Sequence, residues 1–129
     1  MNHIGIAVRS LEEAIQTYER LGFTVAHREQ ISDMKVNVAF LNIGESQIEL
    51  LEPLTSDSVI AKFLEKRGEG VHHICFEVEN ILLAMAHYKK QGFQCVYDEP
   101  KSGAHHTKVN FIHPKSTHGT FIEICEKAR

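Results

Sequence analysis

The chain repeats itself once, and the repeat sets what it can fold into. At an offset of 70, residues 3–23 and 73–93 share seven identities in 21 positions: His3/His73, Ile4/Ile74, Val8/Val78, Ala14/Ala84, Tyr18/Tyr88, Gly22/Gly92 and Phe23/Phe93. Further on, Lys35-Val36-Asn37 matches Lys108-Val109-Asn110 at offset 73, and Ile48-Glu49 matches Ile122-Glu123 at offset 74. Two copies spanning about half the chain each do not make a solenoid, which stacks at least three short units. They predict one supersecondary unit used twice.

Each copy reads as strand, helix, strand, strand, strand. Residues 2–8 alternate, with Ile4, Ile6 and Val8 on one face and His3, Gly5 and Ala7 on the other. Ser10 followed by Glu13 is a capping box that starts a helix, and Gly22 ends it. A short strand is expected near 24–28, then a hairpin of 36–43 and 47–52 joined through Gly44-Glu45. The second copy predicts strand 72–78, helix 81–91, and strands 93–97, 108–113 and 120–126. Between the copies, Ile60, Phe63 and Leu64 mark a further helix, followed by Gly68-Glu69-Gly70. The expected class is α+β: one domain over residues 1–129, with module 1 at about 1–54, a connecting helix at about 57–68 and module 2 at about 71–129. The two tandem βαβββ modules would form a cupped mixed sheet.

Strand alternation assigns four polar residues to the same side of that sheet. His3 shares its face with Gly5 and Ala7, and His73 shares its face with Cys75. Glu49 lies on the face of Gln47 and Leu51, and Glu123 on that of Phe121 and Cys125. The opposite faces, Ile48/Leu50 and Ile122/Ile124, are apolar and suited to lie under helices. A carboxylate buried alone is costly, and no residue on these faces supplies a cation. Two imidazoles and two carboxylates neutralise one divalent ion. This predicts a metal site of His3, Glu49, His73 and Glu123. Mixed nitrogen and oxygen ligation suits Co, Zn, Ni, Mn or Fe(II) without choosing among them. Four ligands on an octahedral ion leave two positions open for substrate.

Composition removes other function classes. The formal net charge is −3, so the clustered basic surface that nucleic acid requires is not expected. No apolar run approaches the ~20 residues of a membrane span, and the opening MNHIGIAV reads as a strand rather than a signal peptide. Cys75, Cys95 and Cys125 are odd in number and form no CxxC pair, which points to reduced packing residues and a cytoplasmic location. Tyr18/Tyr88 and Phe23/Phe93 read as core anchors, and His27, His87 and His118 as surface residues.

The chain resembles the vicinal oxygen chelate (glyoxalase/bleomycin resistance) superfamily over nearly its whole length. Within that group it looks most like the methylmalonyl-CoA epimerases. The stretches that carry this are HIGIAV (3–8), IELLEPL (48–54), SVIAKFLEKRGEGVHHICFEV (58–78), YDEPKSGAHH (97–106), FIHPKST (111–117) and FIEICE (121–126). The resemblance implies the same four metal ligands, an acyl-CoA substrate and a homodimer. His73 rather than His72 is the ligand, because the repeat aligns it with His3. The implied reaction inverts the carbon between a thioester and a carboxylate, with Glu123 and Glu49 as the catalytic carboxylates. Lys115 and Ser116 of HPKS are expected near substrate. Asn37 is expected at the site as well, where a second catalytic carboxylate would align, and an amide cannot shuttle protons as a carboxylate does. His105 and His106 fall in a loop after Gly103, in the position of a lid, and read as solvated loop residues. The alternatives are a glyoxalase I type isomerase with the same ligand set, a ring-cleaving dioxygenase, and a non-catalytic ligand-binding or resistance protein.

Overall fold

The structure, a computed structural model, describes residues 1–127. It divides into two compact units, one of residues 2–72 and one of residues 73 onward together with Met1. The first contains β1 (His3–Ala7), α1 (Leu11–Arg20), β2 (Val25–Ile31), β3 (Val36–Ile43), β4 (Ser46–Pro53) and α2 (Val59–Arg67). The second contains most of β5 (Gly70–Glu77), then α3 (Ile81–Lys90), β6 (Lys101–Ser102), β7 (Lys108–Ile112) and β8 (Ile122–Glu126). The class is mixed α+β, as expected.

Strand order is the same in both units. It runs β2-β3-β4-β1 in the first and β6-β7-β8-β5 in the second. In each, the first strand pairs in parallel with the last, and the last two strands form an antiparallel hairpin. The apolar face of the first sheet meets α1: Val8, Leu11, Ile15, Ala39, Leu41 and Leu50 are buried together, with Ile6, Ile48, Tyr18 and Phe23 packed against them. Tyr18 and Phe23, 6.1 Å apart between ring centres, pack against this core, and Tyr88 and Phe93, 6.3 Å apart, are partly buried. Helix α2 packs on β4 and β1. No described helix is long and apolar enough to cross a membrane.

The helix starts show how closely the repeat is obeyed. Ser10 Oγ accepts the Glu13 N–H at 3.2 Å, and Asn80 Oδ1 accepts the Leu83 N–H at 3.0 Å. A second carboxylate cap was not foreseen. Glu52 Oε2 accepts the Leu11 N–H at 2.8 Å, and Glu126 Oε1 accepts the Ile81 N–H at 2.8 Å. Each Glu stands three residues past the expected metal ligand, so the end of the last strand satisfies an orphan donor of the helix and sets a negative charge at its positive end. Both helices then stop before a glycine in the left-handed region, Gly22 at φ +102° and Gly92 at φ +92°, a conformation that side chains oppose.

Two expectations are corrected. No regular strand forms at 93–97, where the pairing shrinks to one bridge between Cys95 and Ile112. The Asn110 carboxamide occupies the ladder positions instead, accepting the Tyr97 N–H at 3.2 Å and donating to the Tyr97 carbonyl at 3.0 Å. Pro100 then has no N–H to offer a ladder, and the edge strand is the two-residue β6. The Lys-Val-Asn match is also out of register. Asn37 lies opposite Glu52, but Asn110 lies opposite Ile124, so Lys108 opposite Glu126 is the true counterpart of Asn37. The strand offset is 71 before the hairpin and 74 after it.

Removing the Glu126 cap tests this reading. Glu126→Ala is expected to lower unfolding stability by about 1 kcal/mol in urea titration, and Glu126→Gln by less, because the amide oxygen still accepts.

Candidate metal centre

In the first unit, parallel pairing places Gly5 beside Glu49 and His3 beside Gln47. The imidazole of His3 reaches the carboxylate of Glu49, with Nδ1 3.0 Å from Oε2. The same nitrogen is 2.7 Å from Asn2 Oδ1. His3 is 5% exposed and Glu49 6%. In the second unit, Cys75 stands beside Glu123, and His73 Nε2 lies 2.9 Å from Glu123 Oε1. Here too the exposures are 5% and 6%. Each unit therefore buries one imidazole against one carboxylate, at equivalent places.

These residues fit a divalent ion by donor chemistry, each pair offering one imidazole nitrogen and one carboxylate oxygen. At 2.9 and 3.0 Å each imidazole is within hydrogen-bond distance of its carboxylate. The surroundings are otherwise apolar or weakly polar. Phe40 faces Glu49 across the β3–β4 hairpin and Val38 faces Leu51. Phe111 faces Glu123 and stacks on Phe121 at 4.8 Å. The His73 ring meets Phe111 edge-on at 6.0 Å. Cys75, Val109 and Cys125 form a small buried cluster beside the second pair. All three cysteines are unbridged, and burial pushes the Cys95 thiol up from its usual range.

The other expected site residues fare differently. Asn37 shares its face with Glu52, Ala39 and Leu50, which is the face under α1 and not that of Glu49. Its amide donates to Glu52 Oε1 at 3.2 Å. Its expected role at substrate is therefore not supported: Asn37 belongs to the helix-capping network. Lys115 and Ser116 sit in the 3-10 turn of Pro114–Thr117 between β7 and β8, Lys115 exposed and Ser116 partly buried. That turn lies at the Ile112/Ile122 end of the hairpin, one residue beyond the Phe111/Glu123 row. His113 shapes it, its Nδ1 accepting the Lys115 N–H at 3.3 Å and its carbonyl accepting the Ser116 N–H at 2.9 Å. His72 packs edge-on against Phe63 at 5.0 Å.

One pair of positions escaped the sequence reading. His27 faces Phe40, which faces Glu49, so the three form one row across β2, β3 and β4. The His27 ring stacks on Phe40 at 5.7 Å. In the second unit Tyr97 meets Phe111 at 6.1 Å, and Phe111 faces Glu123. Burial and then the negative charge of Glu123 push the Tyr97 phenol above its usual range, so it remains a proton donor. His27 and Tyr97 are 70 residues apart, the offset of the repeat. That spacing was the available signal, hidden because the residue types differ.

A buried His/Glu pair on the last and first strands of a duplicated βαβββ unit defines a class. The chain belongs to the glyoxalase/bleomycin resistance protein/dioxygenase superfamily, whose family model matches residues 2–111. Within it, the chain is similar to methylmalonyl-CoA epimerases. It is 43% identical to the ethylmalonyl-CoA/methylmalonyl-CoA epimerase of Cereibacter sphaeroides, over 96% of this chain and 95% of that one. It is 42% identical to the mitochondrial methylmalonyl-CoA epimerase of Homo sapiens, over 96% of this chain and 72% of that one. A variant of Streptomyces coelicolor methylmalonyl-CoA epimerase, solved in complex with 2-nitronate-propionyl-CoA, matches with a TM-score of 0.95 at 37% identity, covering 100% of this chain and 97% of that one.

In chelator-treated protein each buried pair must be balanced by its own partner. His73→Leu is expected to cost about 3 kcal/mol in chemical denaturation, because it strands the Glu123 carboxylate. Adding Glu123→Leu to the same chain should recover most of that loss. Equal loss in the single and double variants would contradict a paired role.

Proposed function

We propose that the chain is a metal-dependent epimerase of methylmalonyl-CoA, with His3, Glu49, His73 and Glu123 holding one divalent cation. The single observation that supports this most is the duplicated buried His/Glu pair, each pair offering one nitrogen and one oxygen donor. Its similarity to epimerases over nearly the full chain supports the substrate class. The identity of the ion is left to Co, Zn, Ni, Mn or Fe(II).

The substrate carbon lies between a thioester carbonyl and a carboxylate, so its C–H bond is already acidic. The cation, when bound, supplies Lewis-acid stabilisation of negative charge on the thioester oxygen. Glu123 removes the α-proton, and the electron pair of the broken C–H bond delocalises onto the thioester to give an enolate. A proton returned to the opposite face inverts the centre, a role we give to Glu49 in its carboxylic acid form, which regains a proton from solvent while Glu123 passes its own to solvent. The apolar residues around each pair, Phe40 in one unit and Phe111 and Phe121 in the other, limit water near the reacting carbon. Lys115 and Ser116, on their turn at the end of the β7–β8 hairpin, bind the anionic parts of the acyl-CoA. The same reading carries a homodimer and, with three unbridged cysteines, a reducing cytoplasm.

The test is turnover of methylmalonyl-CoA in deuterated water by metal-loaded protein. Deuterium is expected at the α-carbon together with loss of chirality. Glu123→Gln should lower the rate at least about a hundred-fold, and Lys115→Ala should raise KM several-fold with kcat little changed. Conversion of a glutathione hemithioacetal with no action on methylmalonyl-CoA would assign the chain to the glyoxalase I reaction instead. Unchanged activity of Glu123→Gln with its metal retained would remove Glu123 from the chemistry.

A further inference from the structure

We infer that Tyr97 is a substrate-contacting residue of the second unit, its phenol donating a hydrogen bond to a negatively charged oxygen of the bound acyl group. The inference rests on the epimerase reading above and adds a residue to it. Three features carry it.

First, Tyr97 is placed by construction. Asn110 has no exposed surface, and it commits its carboxamide to the Tyr97 backbone, accepting from the N–H at 3.2 Å and donating to the carbonyl at 3.0 Å. The same oxygen accepts the Phe111 N–H at 2.8 Å, which ties Tyr97 to the strand that carries the Glu123 row. A fully buried polar side chain that makes two of its hydrogen bonds to one residue of an irregular segment, and the others to Phe111 and to the Met85 sulfur, helps fix that residue in space. The segment gives up its regular β-pairing in the process, so the holding of Tyr97 is not a by-product of sheet formation.

Second, the ring lies on the row that ends in a reactive carboxylate. It meets Phe111 at 6.1 Å, and Phe111 stands directly opposite Glu123. Third, a cation lies over the ring: Lys101 Nζ is 5.3 Å from the ring centre. A phenol with an ammonium beside it suits an anionic acyl group, which would otherwise be repelled by Glu123. The first unit keeps the pattern, with the His27 ring over Phe40 beside Glu49. A ring bearing a polar atom at the same position of both copies argues for a role at the ligand face rather than for local packing alone.

The experiment compares Tyr97→Phe with the unaltered protein, both metal-loaded, with methylmalonyl-CoA. The variant keeps the ring and its packing. Its metal content and melting temperature are expected to be unchanged, while kcat/KM falls about ten- to hundred-fold, the effect of one hydrogen bond to developing charge. The primary isotope effect with α-deuterated substrate should rise as the chemical step becomes more limiting. Asn110→Asp keeps the two accepted hydrogen bonds and loses those donated to the Tyr97 carbonyl and the Met85 sulfur, and it should reproduce part of the loss. Equal kcat, KM and isotope effect in Tyr97→Phe would overturn the role of Tyr97 and leave the epimerase reading standing. Absence of turnover in the unaltered protein would instead overturn that reading; α-proton exchange with a simple acyl-CoA lacking the carboxylate then shows whether Tyr97→Phe still changes the handling of the thioester, and no change there counts against Tyr97 as well.

Discussion

A carboxylate with 6% of its surface exposed, facing an imidazole across two parallel strands, occurs once in each unit. Most of the architecture follows from that arrangement. The first strand must lie beside the last, and parallel neighbours need a crossover, so a helix separates the first strand from the rest. The helix covers one face of the sheet and demands apolar residues there, which Ile48 and Leu50 supply. The other face is left for the polar pair. The helix is then fixed to the same strand by Glu52 or Glu126, one turn of side-chain alternation beyond the ligand and on the opposite face. Ligand and cap are therefore parts of one short strand.

Much of this was legible because strands alternate and repeats keep their spacing. The faces of His3, Glu49, His73 and Glu123 followed from residue parity alone, and the helix start at Ser10 and the stops at Gly22 and Gly92 from their capping residues. What escaped had physical causes. The segment 93–97 has the alternation of a strand, but its pattern does not show that a side chain thirteen positions further on takes over its hydrogen bonds; Asn110 does so only in three dimensions. Asn37 was expected at the site because the family resemblance aligns a second catalytic carboxylate there, and Lys-Val-Asn recurs around it. Counting from the strand registers, the recurrence is displaced by two residues, and parity puts Asn37 under α1 with Glu52. The capping role of Glu52 and Glu126 was invisible because it pairs residues 41 and 45 positions apart.

The two units are not chemically equal, and the difference bears on direction. Around Glu123 stand Cys75, Phe111, Phe121 and Tyr97. Around Glu49 stand Gly5, Phe40 and the exposed ring of His27. An inversion needs two different proton positions, one on each face of the carbon. A duplicated unit whose copies keep the buried His/Glu pair and vary its neighbours provides the raw material for such an asymmetry. Asn37, an amide that cannot shuttle protons, lies on the other face of its sheet from Glu49.

The proposed sharing of one ion by the two His/Glu pairs is open to direct measurement by metal analysis of purified protein after dialysis, combined with titration of the chelated form. One divalent ion per chain is expected, and loss of that ion when either His3 or His73 is replaced by alanine. Two ions per chain, or full retention after either replacement, would contradict it, because each pair would then act alone.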